Sequence, residues 1–382
     1  MSQEIKFNDL PAQWQDIREN VLPLIEKLGL KGDYIGGKAI SKFEEEFAEY
    51  TKSKYAIGVS NGTDGLKMAF QLFNLNEEDC VILPANTFIA DYLAIKNCPI
   101  KQPHVVLIDN DINFTINTND LSDFLDESRK KYRKVVVVPV HLYGYSCDID
   151  VLEKLKNKHD LLILEDCSQS HGTLYKDKHV GYLGDVSVYS LYPGKNLGAM
   201  GDAGIITTNN EEFYKRCKSL RNYGSSVKYY YDELGNNHRM DTIQAIVLSE
   251  KLKHLSKWTE NKNEVAKRYL NEIRNSKVFL PTENKNCYHS YHIFCVRINN
   301  DTRENFQDYL NKHGITTIIH YPIPIHETSI FDHSDTVYSS SLTDQYKDKI
   351  VSLPMHPYLN LSLIHISEPT RQAEISYAVF CL

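Results

Sequence analysis

The sequence predicts an α/β protein: a large unit on a mostly parallel mixed sheet, followed by a smaller C-terminal α+β unit. Four short apolar runs, VILP, VVLID, VVVVPV and LLILED, are rich in branched residues and separated by helical patterns. That is the rhythm of parallel strands buried on both faces and joined by crossover helices. A further apolar run, VSVYS, enters a turn made of Pro193 and Gly194, which leaves Lys195 at the rim of the sheet. A second glycine-rich turn, Gly198 to Gly204, follows at once. A lysine held between two turns admits three readings: a surface ammonium, a phosphate clamp, or an amine nucleophile that forms a Schiff base.

In chain order, Trp14 to Leu30 reads as a helix, and KFEEEFAEY, Lys42 to Tyr50, repeats apolar residues every three or four positions as an amphipathic helix does. The strand AIGVS then runs into Asn61-Gly62-Thr63-Asp64-Gly65, and Leu66, Ala69, Phe70 and Phe73 mark one face of the next helix. A strand, a small-residue turn and a helix N-terminus together make an anion site, because free N–H groups and the helix dipole point the same way. The plainer reading is a helix cap by Thr63 or Asp64.

In parallel sheets ligands gather beyond the carboxyl ends of the strands. The residues there are Asn86, Thr87 and Phe88, then Asp109, then His141 and Tyr143, then Glu165, Asp166, Gln169 and His171. Taken singly, each is as well explained as a strand cap or a packed core residue. After the strand AGIITTN, the segment from Arg221 to Asp241 is polar and tyrosine-rich, long enough to cover a site or meet another subunit. One long helix is expected from Thr242 to Tyr269, carrying the chain into the small unit. There SYHIFCVRI reads as a strand and Thr302 to His313 as a helix, ahead of ITTIIHYPIPIH.

The chain has 382 residues, 42% hydrophobic and 24% charged, and a formal net charge of -7. That is enough to bury a large core, and no basic stripe remains to hold a polyanion, which argues against nucleic acid as a partner. No apolar run approaches the roughly 20 residues that span a bilayer, and the N-terminus lacks a signal-peptide pattern. Eight cysteines at irregular spacings, without a CxxC pair, suit reduced core thiols and a cytoplasmic protein. His289, His292, His320, His326 and His356 lack metal-ligand spacing, and no metal is expected.

An anion turn near Thr63, an aromatic ring at Phe88, a strand-end acid at Asp166 and a turn-mounted Lys195 are the four supports that pyridoxal 5'-phosphate needs. With these residues the chain resembles the DegT/DnrJ/EryC1/StrS sugar aminotransferases. The resemblance runs from Tyr34 to Pro357 through NGTD, PANTF, HLYG, EDCSQSHG, YPGKNLGAMGDAG, RNYGSS, NNHRMD and HYPIP. It implies an aspartate aminotransferase-like fold (fold type I of the pyridoxal phosphate enzymes). It also implies that Lys195 forms the Schiff base and later shuttles the proton. Asp166 then pairs with the pyridine nitrogen, Gln169 lies near the ring hydroxyl, and Phe88 stacks on the ring. Gly62, Thr63 and Ser190 hold the phosphate, joined by Asn237 from a neighbouring subunit, which makes the protein a homodimer with shared sites. Tyr192, Tyr223, His320 and Tyr321 fall to the substrate.

The implied reaction transfers an amino group from an amino acid, L-glutamate by expectation, to a keto group of a nucleotide-linked deoxyhexose. The wording SLYPGKNLGAMGDAG looks most like members acting on dTDP-3-keto-6-deoxyhexoses; 4-keto substrates and a catalytically silent, regulatory homologue are the alternatives. A P-loop is excluded, since GxxxxGK[ST] would need glycine where Tyr189 stands and Ser or Thr where Asn196 stands. The pattern places the cofactor-binding unit at 1–250 and the small unit, truncated, at 251–360. Residues 361–382 include LSLIHISEPTR and ISYAVFCL, which match a translated sequencing-library adapter, and are expected to be non-native.

Overall fold

The computed structural model describes residues 5–299 and 302–359; the 361–382 segment lies outside them. Helix α1 (Leu10–Lys31) starts at Asp9, whose side chain accepts from the Ala12 N–H, and ends at Gly32 in the left-handed region. Helix α2 (Lys38–Thr51) turns Ile40, Phe43 and Phe47 inward. Then strand and helix alternate: β1 (Tyr55–Val59), α3 (Gly62–Leu72), β2 (Cys80–Pro84), α4 (Ala90–Lys96), β3 (His104–Ile108), α5 (Thr118–Ser128), β4 (Val135–Val137), α6 (Ile149–His159) and β5 (Leu162–Asp166). A small hairpin, β6 (Leu174–Tyr175) and β7 (Lys178–His179), precedes β8 (Val186–Ser190), β9 (Gly204–Thr208) and α7 (Glu211–Leu220).

The expected single helix from Thr242 to Tyr269 is two: α8 (Thr242–Leu252) and α9 (Leu255–Glu272). No glycine or proline marks the break, so the apolar pattern runs through it. Packing decides it: Ala245 and Leu248 of α8 sink into the core of the large sheet, whereas Val265, Ala266 and Tyr269 of α9 serve a second core. The chain continues through β10 (Val278–Phe279), β11 (Cys287–Tyr288), β12 (Phe294–Ile298), α10 (Arg303–Lys312), β13 (Thr336–Val337), α11 (Ser341–Tyr346) and β14 (Ile350–Leu353).

The large sheet has the order β1-β9-β8-β5-β4-β2-β3-β13. Pairs from β8 through β13 are parallel, while β9 runs antiparallel to both β1 and β8. Alternate strand residues feed opposite cores: Val81, Leu83, Val105 and Leu107 pack on one face, Cys80, Ile82, Val106 and Ile108 on the other. This is what a sheet buried on both faces requires. Strand β13, from the C-terminal part, returns to the edge of the large sheet beside β3, which its two-residue length does not announce. A second sheet, β10-β12-β14, packs against α9 and α10 around Phe294, Val296, Phe306 and Leu310. None of the described helices is long and apolar enough to cross a membrane.

Candidate active site

The site is assembled where β5 and β8 end side by side. They pair in parallel with Asp166 opposite Val188, so the acid that closes β5 and the turn that follows β8 share one rim of the sheet. The turn is closed by the Lys195 N–H donating to the Tyr192 carbonyl (2.8 Å) and the Ala199 N–H donating to Leu191 (2.8 Å). A Cβ at Gly198 would stand 2.3 Å from the Pro193 carbonyl oxygen, so only glycine permits this fold-back. Two buried lysines tie it down: Lys251 donates to the Gly198 carbonyl (2.6 Å) and Lys262 to the Asn196 side-chain oxygen (2.7 Å).

Lys195 is half-buried. Desolvation pushes its amine down to about 8, against the opposing pull of Asp166 and Asp91. Asp166 is buried and accepts from the Ser168 N–H at 2.9 Å. Gln169, also buried, accepts from the Tyr143 N–H (2.8 Å) and donates to the Tyr321 hydroxyl (2.9 Å). The Phe88 ring lies 5.5 Å from that of Tyr321 and is 49% exposed, which leaves it area on which a flat ring can stack. His320 is held down to about 4 by burial and by Lys195, and bonds Ser352 at 2.9 Å.

The anion turn lies at the other side of the same strand end. Its cap is Asn61, whose side chain accepts from the Asp64 N–H at 2.8 Å, rather than Thr63 or Asp64. As at any helix start, the N–H groups of Gly62 and Thr63 have no intrahelical acceptor. A Cβ on Gly62 would meet the Ser190 Cβ at 2.7 Å, so β8 and the start of α3 are in direct contact. The Ser190 N–H donates to the Ser168 hydroxyl at 3.2 Å, which links the cradle to the segment carrying Asp166. Asp64 faces His238 at 3.1 Å and, with the Ser60 and Asn61 hydrogen bonds, is held down to about 2 despite partial burial.

Other strand-end residues are used up structurally. The Asp109 carboxylate accepts from the N–H groups of Leu342 and Thr343 and from the Thr343 hydroxyl. Glu165 is sealed against His141 (3.0 Å) and the Gly181 N–H (2.9 Å). Exposed Tyr192 belongs to the lysine turn itself, through its carbonyl. Tyr223 and Asn237 stand apart: among the described residues, neither makes a hydrogen bond or ring contact with Lys195, Asp166 or Ser190. They lie on the exposed segment where the Tyr223 N–H donates to the Asn236 carbonyl and Arg239 stacks over Tyr223 at 5.2 Å. A cavity of about 650 Å³ opens beside this segment, lined by Lys215, Lys218, Arg221 and Arg239. A small recess, about 20 Å³, adjoins Lys195.

Residues 15–366 match the DegT/DnrJ/EryC1/StrS aminotransferase family. The chain belongs to that family. It is 39% identical over 356 residues to the dTDP-3-amino-3,6-dideoxy-alpha-D-galactopyranose transaminase of Aneurinibacillus thermoaerophilus, covering 93% of this chain and 95% of the relative. Among solved structures, Streptomyces venezuelae DesV, in complex with a ketimine intermediate, superposes with a TM-score of 0.87 at 31% identity, covering 94% of this chain and 95% of DesV. NtdA of Bacillus subtilis, with bound cofactor PMP, gives 0.80 at 28%, covering 91% and 79%. The protein is thus a pyridoxal phosphate-dependent aminotransferase with the fold type I architecture. Its own residues fit the cofactor: a depressed amine at Lys195, a buried acid one strand away, a glycine-lined helix start and an uncovered aromatic ring.

Two groups escaped the reading of the sequence. Asp91 is fully buried in the first turn of α4 and faces Asp166. An acid inside a helical pattern reads as a solvated charge, and only the apolar residues around it hint otherwise. Lys262 likewise sits in a run of polar residues, yet it is buried.

Proposed function

We propose that this aminotransferase moves an amino group from an amino acid, L-glutamate by preference, to the keto group of a nucleotide-linked deoxyhexose of the dTDP-3-keto-6-deoxyhexose class. The observation that carries the chemistry is the pairing of β5 with β8, which sets Asp166 beside the Lys195 turn. The substrate class rests on the similarity to the Aneurinibacillus transaminase. Bound pyridoxal 5'-phosphate supplies an aldehyde to carry the amino group and a ring that takes up electrons. Asp166 would keep the ring nitrogen protonated. Phe88 would cover one face of the ring, and Gln169 would hold its hydroxyl edge. Gly62, Thr63 and Ser190 receive the phosphate with N–H and O–H donors. Lys195, with an amine near 8, would hold the cofactor and would move the proton released at the donor's α-carbon.

The protein works as a homodimer in the cytoplasm. Val227, Tyr229, Tyr230, Tyr231 and Leu234 expose a run of apolar surface that favours burial against a second copy. Asn237, exposed at the edge of that run, would then reach the partner's phosphate. Tyr192, Tyr223, His320 and Tyr321 contact the substrate. The cofactor-binding unit is formed mainly by 1–250 and the smaller unit by 251–360, from which β13 returns to the large sheet.

The test is an assay of the purified full chain with pyridoxal 5'-phosphate, L-glutamate and either 3-keto or 4-keto dTDP-6-deoxyhexose, with the aminated carbon located by NMR. Nitrogen at C3 is expected. Amination only at C4, or turnover retained in Lys195→Ala, would refute the reading.

A further inference from the structure

The acid pair beside Lys195 contains one member that the reaction as described leaves idle. Asp91 has no exposed surface. Its Oδ2 accepts from the Thr87 hydroxyl at 3.0 Å, while its Oδ1 is buried without a conventional donor. The Asp91 carboxyl lies within hydrogen-bonding reach of the Asp166 carboxylate. Asp166 already takes one N–H, from Ser168, at Oδ1. Two carboxyl groups in contact and out of water cannot both be ionised, and the stable arrangement is one shared proton and one negative charge.

We propose that Asp91 is a positioning residue of this site: it retains its proton and donates it to Asp166, so that the pair carries a single negative charge, held on Asp166 and aimed at the cofactor's ring nitrogen. The inference rests on the reading of Lys195 and Asp166 as cofactor ligands, and it adds the group that orients the acid. Desolvation and the Asp166 charge both push the Asp91 carboxyl up, in the sense the geometry requires. Lys195 and Tyr321 are each influenced by both acids, and the buried Cys167 thiol is influenced by Asp166. Lys195 gives the arrangement its purpose. A doubly ionised pair would pull the amine towards its charged form, whereas a single charge is cancelled by the protonated ring nitrogen and leaves Lys195 able to act as a neutral amine. Asp91 also frames the stacking residue, since its N–H reaches back to the Phe88 carbonyl at 3.4 Å.

The test compares Asp91→Ala and Asp91→Asn with wild type. Asparagine imitates the protonated acid, because its amide N–H can donate to Asp166 while its oxygen still accepts from Thr87. Infrared difference spectra of the full chain without cofactor, near neutral pH, should contain a protonated-carboxyl stretch in wild type that Asp91→Asn lacks. Cofactor affinity, titrated by absorbance, should fall about tenfold or more in Asp91→Ala and recover to within about threefold of wild type in Asp91→Asn. Absence of the protonated-carboxyl signal would overturn the proposal. So would an asparagine variant as weak as the alanine one, or an alanine variant with unchanged affinity. If wild type itself never develops the absorbance of lysine-bound cofactor, the functional reading has failed, while the infrared comparison still decides where the proton sits.

Discussion

The buried amine of Lys262 donates a 2.7 Å hydrogen bond to the side-chain oxygen of Asn196, the residue that follows Lys195. It also donates to the Tyr291 carbonyl at 3.1 Å, and Asn196 in turn donates to the Ser290 carbonyl at 3.0 Å. The Lys195 turn is thereby fastened to α9 and to the segment before β12. Lys262→Met removes the donor and strands two acceptors, each worth about 1–3 kcal/mol when left unpaired. Urea unfolding should report the lost stability, and a cofactor titration should report weaker binding. Unchanged affinity in a destabilised variant would mean that the turn holds without this tether.

The same amine is pushed down to about 7 by burial, and that of Lys251 to about 8. Above those values the native lysines are neutral, while the unfolded chain still binds their protons up to about 10.5. This contribution therefore makes stability rise with pH between about 7 and 10.5, and Lys262→Met should flatten the slope. A mutant with the same slope as wild type would contradict the assignment.

A lysine that attacks an aldehyde does so as a neutral amine. With the Lys195 amine near 8, the rate of cofactor uptake by the unloaded protein should climb about tenfold per pH unit below that value and level off above it. Asp166 favours the charged form of Lys195, so Asp166→Asn should move the midpoint to lower pH. Stopped-flow absorbance checks both; a midpoint that moves upward would count against the electrostatic account.

Gly62→Ala drives a methyl group to 2.7 Å from the Ser190 Cβ and 3.1 Å from its Cα. Overpacking of this kind costs about 1–3 kcal/mol, and here it falls on the cradle proposed for the phosphate. A drop of about tenfold or more in affinity for pyridoxal 5'-phosphate is expected, with inorganic phosphate competing less well. Affinity equal to wild type would remove Gly62 from the cradle.

Burial pushes His171 and His289 down to about 3, and His179, His320 and His356 to about 4. These groups are neutral in the fold, yet each takes a proton in the unfolded chain below about 6.5. Their contribution is complete above pH 6.5 and is lost as the pH falls towards 4, at up to about 1.4 kcal/mol per unit for each fully buried group. His179 and His320 keep some exposure and contribute less. Thermal unfolding between pH 7 and 5 should show a steep decline; a flat profile would refute this.

Much of this was legible in the chain. The alternation of branched apolar runs with helical patterns identified the buried parallel sheet, and the rule of looking just beyond strand ends pointed to Asp166, Gln169 and Phe88. The same rule returned Asp109 and Glu165 with equal force. Asp109 is spent on Leu342 and Thr343, far along the chain, and Glu165 on His141 and Gly181. Local pattern carries no record of such distant partners. Nor does it locate the break between Leu252 and Leu255, where each half answers to a different core.

The sequence by itself determined the α/β rhythm, the glycine-bounded turn that mounts Lys195, and the family, because these depend on side-chain period and on residues adjacent in the chain. Tertiary structure alone decided which charged groups surround that amine. The acids at positions 91 and 166 meet across the sheet rim, Lys262 arrives from α9, and the charge states follow from burial and from distances that sequence separation does not encode.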